Sequence, residues 1–216
     1  MSKSRDRKFR HMMETLVSAF LFAFQYIPVA GPWFGFMIFP LIVYISGLLW
    51  AHPEFLEAQV NLLLFSERLL FGRIVAVTGF IIFLVAFVQF LRRNGKVITT
   101  GLYLVVRHPQ YFGIVVMTLG ISIMCIQFTW SADSEVLYVW LIQVLGYVLL
   151  AAYEEQYLLK EHKREYQQYK DEVPFIFPIP RLTKIPEPLV SMVLAVIIVF
   201  LITLLYPFPF YEVFNI

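Results

Sequence analysis

The stretch Leu69–Leu91, LLFGRIVAVTGFIIFLVAFVQFL, decides the class of fold. About 20 apolar residues in a helix cross the roughly 30 Å hydrocarbon core of a bilayer, so this stretch predicts a membrane-spanning helix. Other strongly apolar stretches follow the same pattern, and a weaker one carries a glutamate and a proline. The strong candidates are Trp33–Trp50, Tyr111–Trp130, Val136–Tyr153 and Leu189–Tyr206, and the weaker one is Met12–Ala30. The pattern predicts an all-α, polytopic transmembrane helical bundle of about five to six spans.

The composition of the whole chain agrees with a membrane protein. Its 216 residues are 60% hydrophobic and only 15% charged, and its mean hydropathy is +0.74. Soluble globular domains have about 25% charged residues, so the composition excludes that class, and the apolar content excludes a disordered chain. A net charge of +2 gives no reason to expect a nucleic-acid partner. The single Cys125 allows no disulfide framework, and the four histidines lack zinc-ligand spacing, so no metal site is expected.

Basic residues between the spans predict the orientation of the chain. The positive-inside rule assigns Arg92–His108 and Glu154–Pro188 to the cytoplasm, and the two spans between them return the chain to that side. The basic N-terminal tail also predicts a cytoplasmic start, which agrees only if one of the first two apolar segments is re-entrant or interfacial. Ala51–Arg68 is acidic and amphipathic and is expected to lie along the interface. We expect three parts: N-terminal membrane helices (1–91), a helical hairpin with a cytosolic helix (92–188), and a C-terminal transmembrane helix (189–216).

A first motif, GLYLVVRHPQYFG at 101–113, lies at a predicted helix start. Pro109 suits the first turn of a helix, which places Arg107 and His108 just ahead of it at the water–lipid boundary. Free backbone N–H groups and the helix dipole make such a position a site for a carboxylate or phosphate. The flanking aromatic and glycine residues are Tyr103, Tyr111, Gly101 and Gly113. The alternative is a juxtamembrane Arg-His anchor with interfacial tyrosines.

A second motif, EEQYLLKEHKREYQQYKDEVPFIFP at 154–178, predicts a cytosolic-face C-terminal amphipathic helix ended by prolines. Residues spaced by four, three, four and three form one stripe of this helix: Glu155, Leu159, His162, Tyr166 and Tyr169. Paired carboxylates beside an apolar span are costly unless they meet water, cations or ligand donors. The alternative is that Glu154 and Glu155 simply begin the water-exposed part of the helix.

Together the two motifs bring an anion-binding helix start and a carboxylate pair to one membrane face. Such a pair of sites suits a zwitterion. S-Adenosylmethionine fits this description, because it has a carboxylate, an ammonium, ribose hydroxyls and a sulfonium that favours aromatic faces. The physical argument alone does not select it over other zwitterions.

The two motifs resemble the isoprenylcysteine carboxyl methyltransferase and phospholipid methyltransferase superfamily of integral membrane enzymes. The resemblance is carried by Arg107-His108-Pro109-x-Tyr111-x-Gly113 and, two spans later, Glu154-Glu155-x-x-Leu158-x(7)-Tyr166-x-x-Tyr169-x(3)-Val173-Pro174-x(3)-Pro178. It implies S-adenosyl-L-methionine as cofactor at the cytoplasmic face and a lipophilic small-molecule or prenylated substrate that arrives from the membrane lipid. The methyl group would move by in-line displacement, which needs positioning and no metal.

The chain departs from the family pattern at three places. Where relatives usually have Phe-Gly, it has His162-Lys163, and Phe175 replaces a common basic residue. Members that act on prenylcysteine tend to carry an arginine shortly before the Glu-Glu pair, and here Leu149–Tyr153 contains none. These departures argue against carboxyl methylation of a prenylcysteine, and a lipid amine or a thiol remains open as the acceptor.

The resemblance and the motifs together assign the candidate roles. The predicted cofactor-binding residues are Tyr103, His108, Pro109, Tyr111, Gly113, Glu154, Glu155 and Tyr166. The predicted catalytic residues are His162, as a substrate-side base, and Arg107, with loop stabilisation as an alternative role for Arg107. Two other functions stay open: a sterol-type membrane reductase that binds NADPH, and a non-catalytic lipid-binding or scaffold relative. The oligomeric state is not predicted.

Overall fold

The computed structural model describes residues 31–57, 60–92, 97–129, 135–180 and 185–205. The chain divides into two compact units, Met1–Phe36 and Met37–Ile216. The description of the first unit is limited to the start of one helix. All the residues discussed below as a functional site lie in the second unit.

Within the described ranges, the regular structure is entirely helical. The α-helices are α1 (Gly31–Ala51), α2 (Pro53–Glu57), α3 (Val60–Phe65), α4 (Leu70–Leu91), α5 (Pro109–Thr129), α6 (Glu135–Glu172) and α7 (Glu187–Leu205), with 3₁₀ turns at Glu67–Leu69 and Gly101–Leu104.

Four of the described helical segments are long and apolar enough to cross a membrane: Glu67–Leu91, Pro109–Phe128, Glu135–Glu172 and Glu187–Leu205. The apolar segment Gly35–Ala51, which is part of α1, is shorter than these four. The predicted all-α polytopic bundle is confirmed. The weaker candidate span, Met12–Ala30, lies outside the described residues.

Helix α6 contains the predicted span Val136–Tyr153 and the amphipathic segment that follows it. It has 38 residues, and a break at Lys163 divides it into two helical parts. The first part, residues 135–162, is about 42 Å long at 1.5 Å per residue, which exceeds the roughly 30 Å hydrocarbon core. This part therefore both crosses the bundle and carries Glu154 and Glu155 at its end. The only interruption of helical geometry in it is at Lys163, where φ is 34° and ψ is −102°.

Helices α4 and α5 pack with their backbones almost in contact through small residues. A Cβ atom on Gly113 would lie 2.5 Å from the backbone nitrogen of Phe83, and one on Gly79 would collide with the backbone nitrogen of Met117. Membrane helices associate mainly by close packing, because the surrounding lipid removes most of the hydrophobic driving force. The glycines of α4 and α5 therefore allow the backbones of these two helices to approach closely.

Helix α1 packs against α6 in the antiparallel direction. A Cβ atom on Gly146 would lie 3.1 Å from Pro40, whereas one on Gly47 would lie 2.5 Å from Val139, so the two helices run in opposite senses. The hydroxyl of Tyr147 donates to the carbonyl of Met37 at 3.0 Å.

Four chain segments meet at one end of the bundle. They are the end of the 3₁₀ turn that precedes α5, the part of α6 after Tyr153, the strap (Val173–Pro180) that follows α6, and the start of α7. The two sequence motifs lie at this end. The helices thus deliver both motifs to one place, as their spacing predicted.

Replacing Gly79 with alanine should lower the thermal stability of the protein in detergent, because the added methyl group meets backbone rather than a movable side chain. Overpacking of this kind costs about 1–3 kcal/mol. The matched control is Val77→Ala on an outward-facing position of the same helix, where Val77 is 51% exposed. Thermal unfolding curves in one detergent measure both variants, and equal midpoints for Gly79→Ala and Val77→Ala would contradict the packing argument.

Candidate functional site

The side chain of Arg107 lies at the centre of the polar cluster. It is fully buried, and its Nε donates to Oε1 of Glu155 at 2.6 Å. Its Nη2 pairs with Oε2 of Glu187 at 2.5 Å. Its Nη1 donates to the carbonyl of Lys170 at 2.8 Å and to that of Val173 at 2.6 Å. All three guanidinium nitrogens therefore bind acceptors of the protein itself.

The strap covers Arg107 and the start of α5. The backbone N–H of Arg107 donates to the carbonyls of Pro174 and Phe175 at 2.8 and 3.1 Å, and that of His108 donates to the carbonyl of Phe175 at 3.3 Å. The guanidinium carbon of Arg107 lies 5.5 Å from the centre of the Phe175 ring. These two N–H groups are consequently not free for an anion, and that of Phe112 donates to the carbonyl of His108. The N–H groups of Gln110 and Tyr111 are therefore the ones left at the predicted anion site.

His108 lies between the two carboxylates of the second motif. Its Nδ1 is 3.5 Å from Glu154, and its Nε2 is 3.5 Å from Glu155. Burial by itself would lower the pKa of this imidazole, but the attraction of the two nearby carboxylates outweighs burial and raises the pKa above 6.5. Its Nε2 is buried and makes no hydrogen bond of good geometry within the described protein.

Stacked rings continue from His108 into the bundle. The rings of His108 and Tyr111 are parallel within 4° at 5.4 Å, and Tyr111 in turn stacks on Tyr147 at 5.3 Å. The hydroxyl of Tyr111 donates to Oε2 of Glu154 at 2.9 Å. Tyr111 thus fixes one oxygen of Glu154 and belongs to a buried stack of aromatic rings beside it.

A group of buried tyrosines lies next to the polar cluster of Arg107 and Glu155. Tyr103, Tyr166, Tyr169 and Val173 form one buried group. The hydroxyl of Tyr169 donates to the carbonyl of Tyr103 at 2.6 Å. Of the stripe predicted on the second motif, Glu155, Tyr166 and Tyr169 are buried and Leu159 packs partly buried against the tyrosines. His162 is partly exposed, and the break at Lys163 interrupts the stripe.

Lys163 interrupts α6 close to these tyrosines. Its backbone conformation is one that residues with a Cβ atom rarely adopt. Its φ of 34° is the single positive φ outside glycine in the described residues. Glycine adopts positive φ without the steric clash of a Cβ atom. The glycine that the sequence resemblance implies for relatives at this position would adopt the conformation of the break without that clash.

Most of the predicted site residues lie together. Arg107, His108, Tyr111, Glu154 and Glu155 form one connected cluster, and Tyr103 and Tyr166 belong to the adjoining tyrosine group. Pro109 is the first residue of α5, as its helix-start position predicted.

Two of the predicted residues have different surroundings. Gly113 faces the backbone of Phe83 in α4, so its close approach is to a helix of the bundle. His162 is partly exposed on α6, and its imidazole lies 4.0 Å from Glu161. A catalytic role for His162 or Arg107 stays a prediction.

Three contributors to the cluster were not predicted from the sequence. Glu187 pairs with Arg107, Lys170 donates to Oε2 of Glu155 at 2.7 Å, and Phe175 packs edge-on against His108 at 5.4 Å. The sequence does contain a feature that singles out Glu187, because it is an acidic residue at the start of an apolar helix. Its partner lies 80 positions earlier, and sequence spacing cannot reveal such a pair. Among the described residues, no group of three or more His, Cys, Asp or Glu side chains is arranged to hold a metal ion.

Residues 68–165 match the family model described as phospholipid methyltransferase. The match begins in the 3₁₀ turn before α4 and ends shortly after the break in α6, so it includes the first motif and the Glu154–Glu155 pair. It confirms the resemblance to this superfamily of membrane methyltransferases and indicates methyl transfer to lipid. Among curated proteins and solved structures, no significant match was found.

Replacing Lys163 with glycine should raise the stability of the protein by about 1 kcal/mol, because glycine relieves the strain of the positive φ. The matched control is Lys160→Gly, the same change at an exposed position of regular helix, which should lower stability by about 1 kcal/mol. Thermal unfolding in detergent measures both. Stability changes of the same sign in the two variants would contradict the strain at Lys163.

Proposed function

We propose, from the match of residues 68–165 to the phospholipid methyltransferase family, that this chain is an integral membrane, S-adenosyl-L-methionine-dependent methyltransferase that acts on a lipophilic substrate. One observation carries the proposal beyond the family match. The Arg107–His108 segment and the Glu154–Glu155 pair are separated by two helices in sequence, yet they form one buried cluster. A buried group of charges of this kind is typical of a functional site.

The residues present suit the chemistry of S-adenosylmethionine. The buried Nε2 of His108 has unused hydrogen-bonding capacity, and a protonated imidazole donates to a carboxylate. Glu154 and Glu155 supply acceptors for an ammonium group and for ribose hydroxyls. The stacked rings of Tyr111 and Tyr147 supply the aromatic faces that attract a sulfonium. When bound, the cofactor supplies an electrophilic methyl group.

The protein's own residues provide positioning and exclusion of water. Arg107 gives all its nitrogens to the protein, so we assign it the role of holding Glu155 and the strap rather than of contacting the reacting atoms. Tyr111 holds Glu154 by its hydroxyl. The strap and the tyrosine cluster shield this region, and a shielded nucleophile is not held back by a hydration shell.

The remaining assignments follow the family and the charge pattern. The active end is proposed to face the cytoplasm, as the basic segments predict. The acceptor arrives from the bilayer. His162 is retained as a candidate base on the substrate side, because an imidazole can accept a proton and this side chain is partly exposed. The absence of arginine from Leu149–Tyr153 favours a lipid acceptor other than a prenylcysteine carboxylate.

Purified protein in mild detergent should bind S-adenosylhomocysteine, and Glu154→Gln should weaken that binding about tenfold, because a carboxylate acceptor becomes a neutral amide. Hydrogen bonds to charged groups contribute about 1.5–3 kcal/mol, which corresponds to roughly tenfold or more. Isothermal titration calorimetry measures the affinity, and His108→Ala should weaken it as well.

The matched control is Glu161→Gln, the same substitution at an exposed position of α6, which should leave the affinity unchanged. NADPH serves as the comparison ligand. Failure of the wild-type protein to bind S-adenosylhomocysteine would refute the proposed function, and binding of NADPH in its place would favour a reductase.

The affinity for S-adenosylhomocysteine should also fall as the pH rises. The pKa of His108 is raised above 6.5, so the imidazolium that would bind the ligand carboxylate is present below neutrality and is lost at higher pH. Calorimetry from pH 6 to pH 9 tests this, with His108→Gln as the variant that lacks a titrating side chain. A wild-type profile that is as flat as that of His108→Gln would exclude this role for His108.

A further inference from the structure

Glu187 makes the contact that joins α7 to the polar cluster. Its carboxylate is 13% exposed and pairs with Nη2 of the fully buried Arg107. Helix α7 begins at this residue and lies outside the 68–165 region that matches the family. The pairing is therefore not part of the matched family pattern.

The geometry at Arg107 shows what Glu187 does to its neighbour. Arg107 offers Nε to Oε1 of Glu155 and Nη2 to Glu187, so one guanidinium is shared between two carboxylates. The second oxygen of Glu155 accepts from Lys170. An ionised carboxylate has about four acceptor positions, two on each oxygen. Arg107 and His108 face the two positions of Oε1, whereas Lys170 takes one position of Oε2 and leaves the other for a further donor.

We propose that Glu187 is a positioning residue that holds Arg107 on one oxygen of Glu155, so that Glu155 keeps acceptor capacity for the ligand. The inference rests on the proposed function for the identity of that ligand. Without the Glu187 carboxylate, Arg107 has one carboxylate partner instead of two. An arginine with one carboxylate partner favours the bidentate geometry, in which two parallel N–H groups occupy both carboxylate oxygens. Glu155 would then have fewer acceptor positions for an ammonium or a hydroxyl.

A simpler role for Glu187 makes a different prediction. An acidic residue in the first turn of a helix interacts favourably with the helix dipole, which contributes to stability alone. In that case neutralising Glu187 changes the unfolding temperature slightly and changes neither ligand affinity nor the titration of the imidazole beside Glu155. The positioning role requires both of these to change.

The experiment compares Glu187→Gln with Glu172→Gln in the full-length protein. Glu172 is exposed at the end of α6, so its substitution removes the same charge near the same end of the bundle. The affinity for S-adenosylhomocysteine, measured by calorimetry, should fall about tenfold in Glu187→Gln and by less than twofold in Glu172→Gln. Glu187→Asp keeps the charge and should lose less affinity than Glu187→Gln.

A second measurement needs no ligand. The groups that face His108 are Glu154 and Glu155 from α6, Tyr111 from α5 and Phe175 from the strap. Fuller neutralisation of Glu155 by Arg107 weakens the attraction that keeps His108 protonated. The His108 titration, followed by nuclear magnetic resonance of labelled histidine and assigned with His108→Gln, should move to lower pH in Glu187→Gln and stay in place in Glu172→Gln.

The two measurements separate the two proposals. If wild-type protein binds no S-adenosylhomocysteine, the proposed function fails, and the His108 titration still decides whether Glu187 sets the state of the cluster. If Glu187→Gln leaves the titration unchanged, the positioning role is overturned. If Glu187→Gln does not fold, Glu187→Ser replaces it as a variant without a carboxylate, and wild-type affinity with a wild-type titration in Glu187→Ser overturns the role in the same way.

Discussion

The burial of one guanidinium group constrains this entire end of the molecule. A buried arginine that lacks acceptors costs several kcal/mol, and the side chain of Arg107 is fully buried. It finds its acceptors on α6, on the strap and on α7 at once. Those three segments are therefore held in one arrangement, and the carboxylate pair takes its place within it.

Much of the architecture follows from the sequence because a bilayer imposes simple rules. Apolar stretches of about 20 residues predict spans, and the described helices begin within a few residues of the strong candidates and, except for α6, also end within a few residues of them. The convergence of the two motifs follows equally, since a helical hairpin returns the chain to the side from which it left. Pro109 marks the start of α5 because proline tolerates the first helical turn.

The parts that the sequence did not predict depend on long-range pairing. Glu187 and Lys170 are ordinary charged residues until the fold brings them to Arg107 and Glu155. The occupied N–H groups of Arg107 and His108 were also unpredictable, because their acceptors are carbonyls of the strap and carbonyls have no residue signature. Continuity of α6 through Glu154 was missed for another reason. Charged residues after an apolar run often mark the end of a membrane-spanning helix. The same residues are also found where a helix continues beyond the membrane, as α6 does here.

The 38-residue length of α6 has a consequence for how this chain tolerates changes of length. A single inserted or deleted residue between Glu135 and Glu154 shifts every later position by 1.5 Å and rotates it by about 100°. Glu154 and Glu155 would then face away from His108 and Arg107, while the lipid-facing surface would still be apolar. Selection should therefore preserve the number of residues in this stretch more strictly than their identity, and should allow length variation in the segments that connect the helices.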